Sequence, residues 1–174
     1  MPRGKKVELA FEESDAVVAP PNWEDHMAAI TAMRSKRDAP VDSLGCEGFF
    51  SDSLPVDIAR FHVFVGALLS SQTKDPVTAA AIDRLRAMDG GLTVDTIRAV
   101  DSGALADTLS PVGFHRNKAK YLKASAELLA DKHGKCVPGT LKELVALPGI
   151  GPKMAYLILS VAFGKNDGIC VDVS

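Results

Sequence analysis

Lys153 follows Leu147-Pro148-Gly149-Ile150-Gly151-Pro152 and opens an apolar stretch that reaches Phe163. Two glycines flanking one aliphatic residue permit a tight turn, and Ile150 can plug between the segments on either side. The amides of such a turn, and of the first turn of a following helix, lack intrahelical carbonyl partners. They also sit at the positive end of the helix dipole. That arrangement suits an anion, and a nucleic-acid phosphate in particular. Gly149, Ile150 and Gly151 are therefore candidate contacts. The Gly-x-x-x-x-Gly-Lys-Ser/Thr spacing is absent and no strand precedes the turn, so neither a Walker loop nor a dinucleotide fingerprint is expected.

Lys153 itself is a candidate nucleophile. A lysine at a helix N-terminus, among amide donors and partly desolvated, has its ammonium form disfavoured. The neutral amine can attack a sugar C1′ and form a Schiff base. Asp172 comes 19 residues later, after the apolar stretch and a turn at Lys165-Asn166-Asp167-Gly168. A carboxylate folding back from there could stabilise positive charge on a sugar ring or accept a proton. The plainer alternatives are a solvated lysine and a helix-capping aspartate.

These side chains need helices to position them. Apolar residues recur at helical spacing over Trp23–Lys36, Asp57–Leu69 and Arg116–Lys132. Asp75-Pro76 reads as an N-cap followed by proline at the first helical position, with that helix stopping near Gly90-Gly91. Thr93–Val100 and Ser102–Leu109 are two short helical pieces. Thr140-Leu-Lys-Glu143 is a capping box that starts a helix to Leu147, and the apolar helix after the turn spans Pro152–Phe163. Residues 38–56 read as a long loop, and Ile169–Val171 alone reads as extended. The fold class is all-α, with about eight short helices. Residues 1–20 form a flexible tail, 21–56 a helix and loop, and 57–174 a helical domain with its helix–hairpin–helix near 141–163.

Composition sets limits. With 174 residues, 47% hydrophobic and 24% charged, the chain can bury a core and is not a disordered protein. No apolar run reaches the roughly 18 residues of a spanning helix. Cys46, Cys136 and Cys170 are scattered, without a Cys-x-x-Cys, which fits a reducing compartment. The net charge of −2 argues against a uniformly basic nucleic-acid coat, yet it is unevenly spread. Residues 1–110 carry 11 Lys+Arg against 17 Asp+Glu, and residues 111–174 carry 9 against 5. Arg116, Lys118, Lys120, Lys123, Lys132 and Lys135 crowd one stretch, which is either a phosphate-tracking patch or a solvated helix face.

Leu147-Pro-Gly-Ile-Gly-Pro-Lys-Met-Ala155, Ala162-Phe-Gly164 and Val171-Asp172, in that order, resemble the helix-hairpin-helix DNA glycosylases, and the endonuclease III family in particular. Leu68-Leu-Ser-Ser-Gln-Thr-Lys-Asp75 is similar to the family's segment whose glutamine reaches into the duplex, and Val112-Gly-Phe-His-Arg-Asn-Lys-Ala119 to the loop opposite it. The Thr-Lys-Asp and Gly-Pro-Lys-Met forms look like the eukaryotic branch. The resemblance covers roughly residues 23–172. It implies a bifunctional base-excision enzyme acting on oxidised pyrimidines in double-stranded DNA, with lyase activity at the abasic site. It further implies Lys153 as nucleophile, Asp172 as essential carboxylate, and Gln72 as the residue filling the gap left by a flipped nucleotide. Phe114 stands where the family places a wedge, the alternative being a core phenylalanine; Ser70, Ser71 and Thr73 stay unassigned. A monomer located in the nucleus, with the mitochondrion also open, is implied too.

The chain departs from the family after Asp172, where Val173-Ser174 replaces the family's Thr-His and closing helix. The resemblance then implies a helical domain incomplete at its C-terminus, with Trp23–Lys36 left exposed on its apolar face and activity weak or absent. The family's four cysteines for a four-iron four-sulfur cluster have no counterpart, so this chain is expected to ligate no metal or cofactor. A non-catalytic helix-hairpin-helix DNA-binding module and a protein-interaction domain are the competing readings.

Overall fold

The computed structural model describes residues 19–168 and Cys170. Most of the expected N-terminal tail, the extended reading at Ile169 and Val171, and Asp172 lie outside the described residues. Among the described residues the secondary structure is helical, with no strand. The chain divides into two units, one ending at Asp38 and the other beginning at Ala39.

The first unit holds α1 (Trp23–Met33), whose Trp23, Met27, Ile30 and Met33 are all exposed. The second unit opens with α2 (Val41–Leu44) and a short 3-10 turn (Cys46–Phe49). This corrects the reading of 38–56 as a loop. Its prolines, glycines and serines mask two short turns that packing stabilises. Phe49 is buried in the core, and its carbonyl accepts a hydrogen bond from Arg86 Nη2 at 3.1 Å.

α3 (Val56–Ser70) is the central element, with an unbroken buried run from Phe61 to Leu69. A helix apolar all round must be covered all round. Here α4 (Asp75–Arg86), α7 (His115–His133), α9 (Pro152–Phe163) and the 3-10 turn supply the cover. The expected Asp75 cap is corrected by one residue. Lys74 holds the cap position without a side-chain bond, and Asp75 and Pro76 are already helical. α5 (Val94–Ala99) and α6 (Ser102–Leu109) pack on α7. Their starts are fixed by side chains. Thr93 accepts from the Thr96 N–H, and the Asp101 carboxylate accepts from Gly103 and Ala104. Those two bonds hold the Asp101 pKa below its usual value.

α7 ends at Gly134 in the left-handed conformation (φ 57°), as the glycine predicts. Thr140 caps α8 (Leu141–Leu144), which stops short of the expected Leu147. α9 has the expected bounds, with proline in its first turn and Gly164 left-handed beyond its end. Arg84 closes the scaffold beside the site. Its Nε donates to the Thr108 carbonyl at 2.8 Å and its Nη2 to that of Ser110 at 2.7 Å, which steadies the approach to the 112–114 loop.

Candidate functional site

The hairpin between α8 and α9 forms as its residues require. Leu144, Leu147 and Ile150 are buried, and the Ile150 N–H donates to the Leu147 carbonyl at 3.2 Å. Ile150 is the plug, 7% exposed, so it can meet a ligand only through its backbone. Gly149 has φ +81°, and a Cβ there would lie 2.7 Å from the Tyr121 ring and 2.9 Å from Leu68 Cδ1. Only glycine tolerates both the conformation and the contact. Gly151 differs. It is the N-cap of α9, its φ is −99°, and a Cβ would meet nothing within 4 Å. Its surroundings are open to an approaching anion.

Lys153 lies in the first turn of α9 and is exposed, so the partial desolvation expected from sequence is not a feature of this geometry. Beyond α9 the chain doubles back. Ser160 Oγ donates to Asn166 Oδ1 at 3.1 Å, and Gly168 lies against the Tyr156 ring, where a Cβ would come within 2.4 Å. Cys170 Sγ then donates to the Lys153 carbonyl at 3.6 Å. Pairs 160/166, 156/168 and 153/170 trace a return along α9 from its last turn to its first. Asp172 follows two residues after Cys170 and lies outside the described residues.

Gln72 and Phe114 are both exposed, and both adopt the left-handed conformation, with φ 51° and 57°. For a residue with a Cβ that conformation costs roughly 1–2 kcal/mol, and strain of this kind persists where the surroundings enforce it. The two loops abut. The Gly113 N–H donates to Thr73 Oγ1 at 3.1 Å, and a Cβ on Gly113 would lie 2.6 Å from the Gln72 carbonyl. Phe114 is 65% exposed, which removes the reading of a core phenylalanine.

A cleft of about 320 Å³ joins these parts, and its lining includes Gln72, Phe114, Asn117, Lys118, Tyr121, Gly149 and Met154. That is within the size range of small-ligand pockets. It brings Gln72, Phe114 and Gly149 to one opening, with Met154 directly after Lys153 in the chain. The sequence reading assigns no site role to Asn117 and Tyr121, and Lys118 enters it only as one of the basic stretch. A signal existed, because 114, 117, 118 and 121 share one helical face.

The basic stretch is not one patch. Lys118 is buried, and burial pulls its pKa from 10.5 to about 8. Its Nζ donates to the carbonyls of Leu69 and Ser71 and to Thr73 Oγ1, at 2.7, 2.5 and 3.0 Å. Lys123 Nζ donates to the carbonyls of Arg98 and Val100 at 2.9 and 2.5 Å, and Lys135 pairs with Asp95 at 2.7 Å. Arg116, Lys120 and Lys132 are left exposed on α7. Among the described residues no group of three or more His, Cys, Asp or Glu could hold a metal ion, and no helix is long and apolar enough to cross a membrane.

Comparisons with known proteins agree with this geometry. Residues 65–174 match the HhH-GPD superfamily base excision DNA repair protein family. The endonuclease III-like protein 1 of Mus musculus is 48% identical over 98% of this chain and 60% of its own length. The chloroplastic endonuclease III homolog 1 of Arabidopsis thaliana is 47% identical over 88% of this chain and 40% of its own length. The chain thus spans about 60% of the mouse relative. A solved non-covalent endonuclease III–DNA complex superposes with a TM-score of 0.68 at 26% identity, covering 86% of this chain and 63% of that one. A trapped endonuclease III–DNA covalent intermediate gives 0.61 at 28% identity, covering 80% of this chain and 63% of that one. With the helix–hairpin–helix and its helical scaffold both in place, the chain belongs to the HhH-GPD superfamily of base excision DNA repair proteins.

Proposed function

We propose that the chain binds damaged double-stranded DNA as a monomer and acts as a base-excision DNA glycosylase with lyase activity, on oxidised pyrimidines and abasic sites. The observation that carries this reading is the cleft that Gln72, Phe114 and Gly149 share beside the α9 turn bearing Lys153. The similarity to an endonuclease III–DNA complex supports duplex DNA as the partner. The C1′–N bond to be broken is hidden in a stacked duplex, so the nucleotide must first leave the stack, which is easiest at a damaged pair. Gln72 fills the gap, and Phe114 wedges the neighbouring step. The hairpin backbone at Gly149 and Gly151, with Ile150 as its internal plug, holds a phosphate.

Chemistry then follows from the amine. The Lys153 amine, after giving up its proton, attacks C1′ through its lone pair, the C1′–N bond breaks, and the base leaves with the bonding pair and takes up a proton. Ring opening gives an imine between Lys153 and C1′. Loss of a C2′ proton expels the 3′ phosphate and nicks the strand. Asp172, the carboxylate that the resemblance implies, is proposed to stabilise the charged sugar or handle these protons. The three cysteines of this sequence do not match the spacing of a four-thiolate cluster. The nucleus is the proposed location, with the mitochondrion as the alternative.

The test is incubation with duplexes carrying one oxidised pyrimidine, scoring base release and strand cleavage. Release and nicking at the lesion, with none on undamaged duplex, is the expected result. Salt-sensitive DNA binding without either product would leave a binding module instead.

A further inference from the structure

Gln72 and Phe114 sit on different elements, about forty residues apart in sequence, yet must act together if both enter one duplex. Something has to fix their spacing. Ser71, the C-cap of α3, leads directly into Gln72, and the last carbonyls of any helix lack intrahelical amide partners. They also carry the negative end of the dipole, which suits a cation. The Lys118 ammonium fills that place from α7, only four residues after Phe114, with three protons on Leu69, Ser71 and Thr73. Thr73 Oγ1 in turn donates to the Ser71 carbonyl at 3.2 Å and accepts from the Gly113 N–H. The chain of bonds therefore runs from the turn bearing Gln72, through one ammonium and one hydroxyl, to the loop bearing Phe114.

We propose that Lys118 is a positioning residue: its donated bonds lock the 69–73 turn against the 112–114 loop, so that Gln72 and Phe114 project as one unit into the duplex. This rests on the proposed role of those two residues in opening the helix. Methionine fills much of the same volume without donating a bond, so Lys118→Met removes the lock while keeping the packing. Thr73→Val removes the link to Gly113 and one of the ammonium's three acceptors, and leaves its bonds to the Leu69 and Ser71 carbonyls.

The experiment uses the full chain and a duplex with a tetrahydrofuran abasic analogue opposite 2-aminopurine, whose emission rises when it unstacks. At saturating protein, confirmed by anisotropy, Lys118→Met should lose at least half of the emission rise given by the unmodified chain. Thr73→Val should lose a smaller part in the same direction, and it carries the test if Lys118→Met does not fold. Borohydride trapping on a true abasic site supplies the second readout. A single strand needs no opening, so trapping on duplex should fall at least tenfold more than trapping on single strand. A full emission rise in both variants, or equal losses on the two substrates, would overturn the proposal. Absence of trapping by the unmodified chain would count against the lyase reading instead, because the emission arm needs no chemistry.

Discussion

The two hairpin glycines make opposite predictions. Alanine at Gly149 must adopt φ near +81° and place its methyl 2.7 Å from the Tyr121 ring and 2.9 Å from Leu68. The conformation costs roughly 1–2 kcal/mol, and overpacking of this kind adds about 1–3 kcal/mol. Gly149→Ala should therefore lose about 2–5 kcal/mol of stability. Gly151→Ala meets nothing within 4 Å and keeps an ordinary φ of −99°. Its entropic gain of about 0.4–1 kcal/mol offsets the few tenths to about 1 kcal/mol by which alanine is the poorer N-cap. Stability should stay within about 1 kcal/mol of the original. DNA affinity should behave differently. A methyl at Gly151 obstructs a phosphate, and one hydrogen bond to a charged group is worth about 1.5–3 kcal/mol, or about tenfold or more in Kd. Urea denaturation and anisotropy on an abasic-analogue duplex measure the two quantities. Unaltered affinity in Gly151→Ala, or an unaltered midpoint in Gly149→Ala, would refute the assignment of these backbones.

Two stability predictions follow from the core. Burial, and next the adjacent Arg86, hold the His62 pKa below 6.5, while its Nε2 bond to the Leu92 carbonyl acts in the other direction. Well above 6.5 the imidazole is neutral in both folded and unfolded chains. As the pH falls below that, the unfolded chain takes up the proton first, so stability should decline toward the lower folded pKa. Melting temperatures from pH 7.5 downward should show this decline, and His62→Gln should flatten it. Thr78 Oγ1 on α4 is buried with no hydrogen-bond partner. Thr78→Val removes that orphaned hydroxyl and should raise stability by about 1 kcal/mol in urea denaturation.

Elements with local punctuation were legible in the sequence. Pro152 and Gly164 bracket α9, Gly134 stops α7, and Thr140 starts α8, because each acts within one turn of itself. The hairpin followed from its two glycines and plug. Legibility ended where partners come from afar. Lys118 reads as part of a phosphate-tracking patch or a solvated helix face, yet its acceptors lie 45–49 residues earlier, and Lys123 reaches carbonyls 23 and 25 residues away. The 41–49 turns owe their place to Phe49 and Arg86 rather than to propensity. Phe114 shows that an aromatic in a loop is ambiguous until its exposure is known.

Lys153 is the proposed nucleophile, and borohydride trapping on an abasic duplex tests that role directly. The unmodified chain should give a covalent protein–DNA adduct. Lys153→Gln should abolish it while keeping DNA affinity within about threefold, a difference of under 1 kcal/mol. An adduct that survives in Lys153→Gln, or its absence from the unmodified chain while that chain binds the duplex, would rule out Lys153 as the nucleophile.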